Sequence, residues 1–184
     1  MSTPEERLAG LGLTVPEVAK PVAAYVPAVR TGSYVYTSGQ LPMRSGELMA
    51  TGKVGGEVAP DDAASYAQQC ALNAIAAVKA EIGDLDQVTR VVKVVCFVAS
   101  TPDFTGQPQV ANGASNLLGS AFGDAGVHAR SAVGVPVLPL DAPVEVEILV
   151  EVSTPLDHRV STPLDHQVST PLDHQVSPPL DPRA

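Results

Sequence analysis

Tryptophan is absent from this chain of 184 residues, aromatic residues make up 4% of it, and it has only two cysteines. So few aromatic side chains leave little material for base stacking or for an aromatic cage around a cationic ligand. No two basic residues are adjacent and the formal net charge is −9, so the chain lacks a basic patch suited to a phosphate backbone. These absences argue against nucleic acid as a direct partner.

Long hydrophobic runs are also missing. No stretch approaches the ~18 apolar residues of a membrane-spanning helix. Glu5, Glu6 and Arg7 precede any apolar run, which is not the order of a secretory signal. We therefore expect a cytoplasmic protein with no membrane partner.

Cys70 and Cys96 form no metal-ligand motif, so we predict that both are buried small side chains and that the chain has no metal site.

The composition changes at Ser153, where four octapeptides follow one another: STPLDHRV, STPLDHQV, STPLDHQV and SPPLDPRA. A Pro-rich unit of this length is too short to bury a face against its neighbour. We expect residues 153–184 to form an extended or disordered tail and residues 1–152 to form one domain. His158, His166 and His174 recur in the tail, and a weak metal array there is the alternative to simple repeat expansion, although gathering the ligands costs chain entropy.

Hydrophobic periodicity predicts that residues 1–152 form an α+β domain in the order β-β-(β)-α-β-α-β-β, with two helices on one face of the sheet. We expect a short helix at 3–10, longer helices at 61–82 and 109–122, and strands at 23–30, 33–38, 88–99, 128–137 and 144–152. The strand at 88–99 is β-branched on both faces, which is typical of a strand covered on both sides. The last strand, VEVEILVEV, has one aliphatic and one acidic face, and the acidic face either meets solvent or contacts another subunit.

Three segments in order carry a resemblance to a known family: AYVPAVRTGSYVYTSGQLP, VVKVVCFVASTPDF and HARSAVGVPVLPLDAPVEVEILVEV. Together they resemble the YjgF/Rid family over residues 11–152. The resemblance implies a chorismate-mutase-like fold and a homotrimer with three clefts between subunits. It also implies hydrolysis, without a cofactor, of small carboxylate-bearing imines or enamines to 2-oxo acids and ammonia.

The same resemblance implies roles for individual residues. Arg130 matches the arginine that grips the substrate carboxylate, a task suited to a planar and permanently charged guanidinium. Glu145 matches the glutamate that positions the attacking water, with Glu147 as the alternative on the same face. The remaining matches, all assigned to substrate binding, are Tyr25, Ser38, Gly39, Asn112 and Ala132. Without the family resemblance, a surface ion pair is as good an explanation of Arg130 as ligand binding is. Asn112 alone would be read as a helix-surface or capping residue.

The chain departs from the family pattern in two places. Deaminating members carry a cysteine where this chain has Ala132, and the segment TGQPQ after Phe104 has the character of an insertion beside the cleft.

A hairpin between the last two strands, centred near Leu140, would set Arg130 about 16 Å from Glu145, which favours a site built by two subunits.

Three functional hypotheses follow. An imine or enamine deaminase is the first, and a non-catalytic trimer that binds a small ligand is the alternative. A chorismate-mutase-like or RNA-cleaving enzyme is the third, and the acidic charge of the domain argues against RNA cleavage.

Overall fold

The computed structural model describes residues 2–18 and 25–153. It has three α-helices: α1 (Pro4–Gly10), α2 (Pro60–Ile82) and α3 (Gln107–Phe122). Its strands are β1 (Ala28–Thr31), β2 (Tyr34–Thr37), β3 (Met43–Arg44), β4 (Glu47–Leu48), β5 (Val88–Ala99), β6 (Ala129–Val135) and β7 (Val144–Val152). The predicted α+β element order is confirmed. Residues 154–184 of the predicted tail, with His158, His166 and His174, lie outside the described residues, as do positions 23 and 24 of the first predicted strand.

The main sheet is mixed and has the strand order β1-β2-β7-β5-β6, while β3 and β4 form a separate small hairpin. Strands β1 and β2 pair through a tight turn in which Gly32 has a φ of 58°, a conformation that favours glycine. Strand β7 pairs antiparallel with both β2 and β5, and β6 pairs parallel with β5 at the edge of the sheet. Within the described residues, no helix is long and apolar enough to cross a membrane.

The predicted hairpin between the last two strands is wrong. Strand β6 pairs with β5, and β7 lies on the other side of β5. The physical reason is the β5-α3-β6 crossover, because a helix between two neighbouring strands of one sheet brings them together parallel. The turn between β6 and β7 contains Leu140 and Asp141 at φ values of 58° and 57°, and it carries the chain back across the sheet instead of folding it on itself.

Helices α2 and α3 cover one face of the sheet. Ala67, Cys70, Ala74 and Val78 lie along one side of α2 and are buried, and these small side chains allow close packing. The aliphatic face of β7 is buried against the helices, as its alternation predicted. Cys70 and Cys96 are both fully buried, which confirms their assignment as core residues.

The opposite face, called the open face below, carries no helix in the described chain. It includes the side chains of Tyr36, Lys93, Val95, Phe97, Val133, Glu145, Glu147 and Leu149. On β5, Val91, Val94 and Val98 are fully buried, whereas Lys93, Val95 and Phe97 are partly exposed. The prediction that this strand is covered on both sides is therefore wrong for the single chain. β-Branched residues suit any pleated sheet surface, so they do not distinguish a face covered within the chain from one that a second subunit would cover.

Candidate functional site

A bulge at the end of β2 forms the first part of the site. Tyr36 pairs with Leu149 and Gln40 pairs with Val146, so β2 has one more residue than β7 between these two pairs. Thr37 closes the gap in the ladder, because its Oγ1 accepts a hydrogen bond from the backbone N–H of Ile148 at 3.0 Å. The extra residue lies in Ser38-Gly39, the turn that the sequence assigned to substrate binding.

The bulge brings Gly39 against the side chain of Glu145. A methyl group on Gly39 would overlap the Glu145 carboxylate and would lie 2.6 Å from its Cδ, so the carboxylate has room only because position 39 has no side chain. Ser38 Oγ donates to the Val26 carbonyl at 2.7 Å, which holds the exposed Tyr25 segment next to the bulge. The structure therefore brings Ser38, Gly39 and Glu145 together, with Tyr25 next in the chain to the Val26 carbonyl that Ser38 binds, and we call these four the Glu145 group.

Glu145 is a partly buried acid. Burial raises the pKa of its carboxyl above the ordinary glutamate value, and the neighbouring charge of Glu147 raises it further. A carboxylate with a raised pKa is a better proton acceptor near neutral pH than an ordinary one. Within residues 2–18 and 25–153, no cluster of three or more His, Cys, Asp or Glu residues is arranged to hold a metal ion.

Arg130 forms the centre of a second group, between β6 and α3. Its Nη1 donates to Asn112 Oδ1 at 2.8 Å and to Ser115 Oγ at 3.0 Å. Asn112 and Ser115 are three residues apart on α3, which places them on the same helix face. Arg130 Nε and Nη2 make no hydrogen bond to any residue that the structure describes, so one edge of the guanidinium is available to a ligand.

Ser115 is itself bonded to His128. Its Oγ lies 3.0 Å from His128 Nε2, and His128 Nδ1 lies 2.6 Å from the carbonyl oxygen of Gly126. We call Arg130, Asn112, Ser115, His128 and Gly126 the Arg130 group. The sequence analysis assigned no role to Ser115 or to His128. Ser131, the next residue after Arg130, accepts a hydrogen bond from Lys93 on the open face, at 3.0 Å.

The two groups do not meet within one chain. Arg130 is in register with Val94, which faces the helices, whereas Glu145 is in register with Phe97 on the open face. Three residues along β5 and two strand spacings separate their positions, a distance of about 14 Å. The two side chains therefore leave the sheet on opposite faces.

Comparison with known proteins identifies the family to which this fold belongs. The family model described as "YjgF/chorismate mutase-like, putative endoribonuclease" matches residues 5–152. The chain belongs to this family. A crystal structure of a protein of unknown function from Agrobacterium tumefaciens is 46% identical, with a TM-score of 0.77, over 82% of this chain and 92% of the other.

Two curated relatives of this YjgF-family chain differ in what is said of them. Protein TCP17 of Trypanosoma cruzi is 45% identical over 78% of this chain and 90% of its own length. The 2-iminobutanoate/2-iminopropanoate deaminase of Dermatophagoides farinae is 34% identical over 77% of this chain and 95% of its own length. The more similar relative thus carries no activity in its name, and the deaminase is more distant.

Two features of this YjgF-family domain refine the sequence-based site. Ala132 is in register with Cys96 and packs partly against the core, so its methyl group is directed away from the Glu145 group. The TGQPQ segment was predicted to be an insertion, yet its last three residues form the first turn of α3, which begins at Gln107. Proline is favoured in the first turn of a helix, and Pro108 stands there.

Proposed function

We propose that this chain is a cofactor-free deaminase of small 2-imino and enamino acids. The observation that carries the proposal is the Arg130 guanidinium, whose Nη1 is held by α3 while its Nε and Nη2 edge is left without a described partner. That edge presents two parallel N–H groups, the geometry that binds a carboxylate through both oxygens. The likeness to a 2-iminobutanoate/2-iminopropanoate deaminase supports the same substrate class.

The chemistry assigned to the site is the hydrolysis of a C=N bond. Arg130 binds the carboxylate, and Glu145 accepts a proton from the water whose oxygen attacks C2 of the iminium. The protonated Glu145 gives its proton to the nitrogen of the resulting carbinolamine, the C–N bond breaks, and ammonia leaves with the bonding electron pair. The departing ammonia takes the hydroxyl proton and becomes ammonium, which completes the C=O bond of the 2-oxo acid. The burial that raises the pKa of Glu145 favours its role as proton acceptor.

The proposed site requires more than one copy of the chain. The distance of about 14 Å and the opposite directions of Arg130 and Glu145 fit a cleft in which the Arg130 group of one copy faces the Glu145 group of another. Tyr36 and Val133 are 47% and 44% exposed on the open face, and apolar surface of this kind is typical of an interface. We propose a homotrimer, whose cyclic symmetry repeats the cleft at each interface.

The test is hydrolysis of 2-iminopropionate or 2-iminobutanoate generated in situ from the amino acid, followed as 2-oxo acid and ammonia release. Wild type is compared with Arg130→Ala and with Arg90→Ala, which removes an exposed arginine of β5 as a matched control. We expect wild type and Arg90→Ala to accelerate hydrolysis and Arg130→Ala to lose at least tenfold, as expected when a hydrogen-bonded charge is removed. Equal acceleration by Arg130→Ala, or none by folded wild type, contradicts the proposal.

A non-catalytic trimer that binds small carboxylates is the second candidate, and Ala132 favours it because deaminating relatives are expected to carry a thiol there. Binding of pyruvate by a folded wild-type protein that does not accelerate imine hydrolysis would select this candidate. Loss of that binding in Arg130→Ala would still assign the carboxylate to the guanidinium.

A further inference from the structure

We propose that Ser115 and His128 are positioning residues that orient the Arg130 guanidinium, so that its Nε and Nη2 edge is the one offered to a substrate carboxylate. The inference rests on the proposed function for the identity of the substrate, but the geometry also applies to a site that only binds. It concerns a hydrogen-bond chain that runs from Arg130 through Ser115 and His128 to the Gly126 carbonyl.

The direction of donation along this hydrogen-bond chain is fixed at both of its ends. The Gly126 carbonyl can only accept, so His128 Nδ1 carries the hydrogen, and in the neutral ring Nε2 is then the acceptor. Ser115 Oγ must then donate its hydrogen to Nε2, which leaves its lone pairs for an N–H of Arg130. A guanidinium can only donate, so every bond in the chain has a donor and an acceptor in one arrangement.

Two acceptors on α3 use both hydrogens of Arg130 Nη1. Asn112 takes one at 2.8 Å and Ser115 takes the other at 3.0 Å. Because the guanidinium is planar, fixing both N–H directions of Nη1 fixes the plane and the direction of the remaining edge. Loss of Ser115 would leave a single bond, about which the plane can turn.

No described carboxylate competes for the positive charge of Arg130. The ion pair found within residues 2–18 and 25–153 joins Lys79 to Glu5 at 2.9 Å, and neither residue belongs to the Arg130 group. The acceptors around Arg130 are a neutral amide and a neutral hydroxyl, so they orient the guanidinium without neutralising it. A half-buried cation of this kind keeps its affinity for an anionic ligand.

The experiment measures binding and turnover separately. Pyruvate and its neutral amide, pyruvamide, are titrated into the full-length protein and followed by NMR, and imine hydrolysis gives KM and kcat. The variants are Ser115→Ala, Ser115→Thr, which keeps a hydroxyl, and His128→Phe, which keeps a ring without its nitrogens. Ser120→Ala is the matched control, because Ser120 is an exposed residue of the same helix. Melting temperature shows whether each variant is folded.

We expect Ser115→Ala to weaken pyruvate binding about tenfold, the size expected for losing a hydrogen bond to a charged group, and to leave pyruvamide binding unchanged. KM should rise by the same factor, with a smaller change in kcat, because the guanidinium grips the part of the substrate that does not react. Ser115→Thr should restore binding. His128→Phe should weaken it, and its combination with Ser115→Ala should be no worse than Ser115→Ala alone, because one chain is broken in both.

The inference is overturned if folded Ser115→Ala binds pyruvate as tightly as Ser120→Ala does, or if pyruvamide binding falls as much as pyruvate binding. If wild type does not hydrolyse imines but still distinguishes pyruvate from pyruvamide through Ser115, the positioning role stands and the proposed deaminase activity fails. If wild type hydrolyses imines and Ser115→Ala is unchanged in KM, the activity stands and the positioning role fails.

Discussion

Replacement of Gly39 by alanine tests whether the bulge at the end of β2 exists to make room for Glu145. The added methyl group would overlap the Glu145 carboxylate, with 2.6 Å to its Cδ and 3.0 Å to its Cγ. Carbon atoms pack at about 3.5 Å or more, so the carboxylate carbon must move by about 1 Å. The clash involves the far end of a flexible side chain and not backbone, so the side chain can rotate away while the fold is retained.

The magnitude follows from how steeply catalysis depends on position. A displacement of about 1 Å in a reacting group can cost on the order of a hundredfold in rate, which is about 2.7 kcal/mol in the barrier. We expect Gly39→Ala to lower kcat for imine hydrolysis by this order and to shift the free energy of unfolding by less than about 1 kcal/mol. The assay compares steady-state kinetics with urea unfolding of the same preparation.

The matched control is Gly119→Ala. Gly119 lies within α3, and a methyl group there would meet nothing within 4 Å beyond the nearby backbone of its own helix. It should leave kcat unchanged and stabilise the helix by roughly 0.5–1 kcal/mol. A Gly39→Ala variant with wild-type kcat would refute the assignment of Glu145 as the water-positioning group. A variant that no longer folds would refute the inference that the side chain can move aside.

Three further predictions concern stability and reactivity. Burial raises the pKa of Glu145, so the folded state binds a proton at this carboxylate more readily than the unfolded chain does. The ionised carboxylate at neutral pH therefore destabilises the fold. Glu145→Gln should raise the melting temperature more at neutral pH than in acid, where the carboxyl is protonated. A methyl group on Gly113 would lie 2.7 Å from the backbone carbon of Ala64, so Gly113→Ala should lower the free energy of unfolding in urea by about 1–3 kcal/mol. Burial raises the pKa of the Cys96 thiol to about 12, so iodoacetamide should label it only after denaturation, and labelling of the native protein at the unfolded rate would contradict its burial.

The secondary structure could be predicted from the sequence because its signals are local. The hydrophobic periodicity of α2 and the alternation of β7 repeat every few residues, and the helix and the strand that they predict are confirmed. The pairing of β6 could not be predicted by the reasoning applied, which assumed that strands adjacent in sequence form a hairpin. The better guide was the helix between β5 and β6, since such a crossover joins parallel strands.

The site was predictable only in part, for a similar reason. Family resemblance pointed to Arg130 and Asn112, and the structure joins them with a hydrogen bond. Ser115 carries no signal of its own, because a serine in a helix is common, although its spacing of three from Asn112 places it on the same face. The separation of Arg130 and Glu145 depends on strand order, which no local pattern encodes.

The hydrogen-bond chain behind Arg130 ends on a main-chain atom, the carbonyl of Gly126. Side-chain replacement cannot delete that acceptor, and a methyl group on Gly126 would press against the backbone of Leu118, with 2.8 Å to its carbonyl carbon. The direction in which the arginine points therefore depends on how the chain leaves α3. Anyone redesigning this protein for a new acid would have to carry over the end of that helix, the turn after it and the start of β6 as one unit.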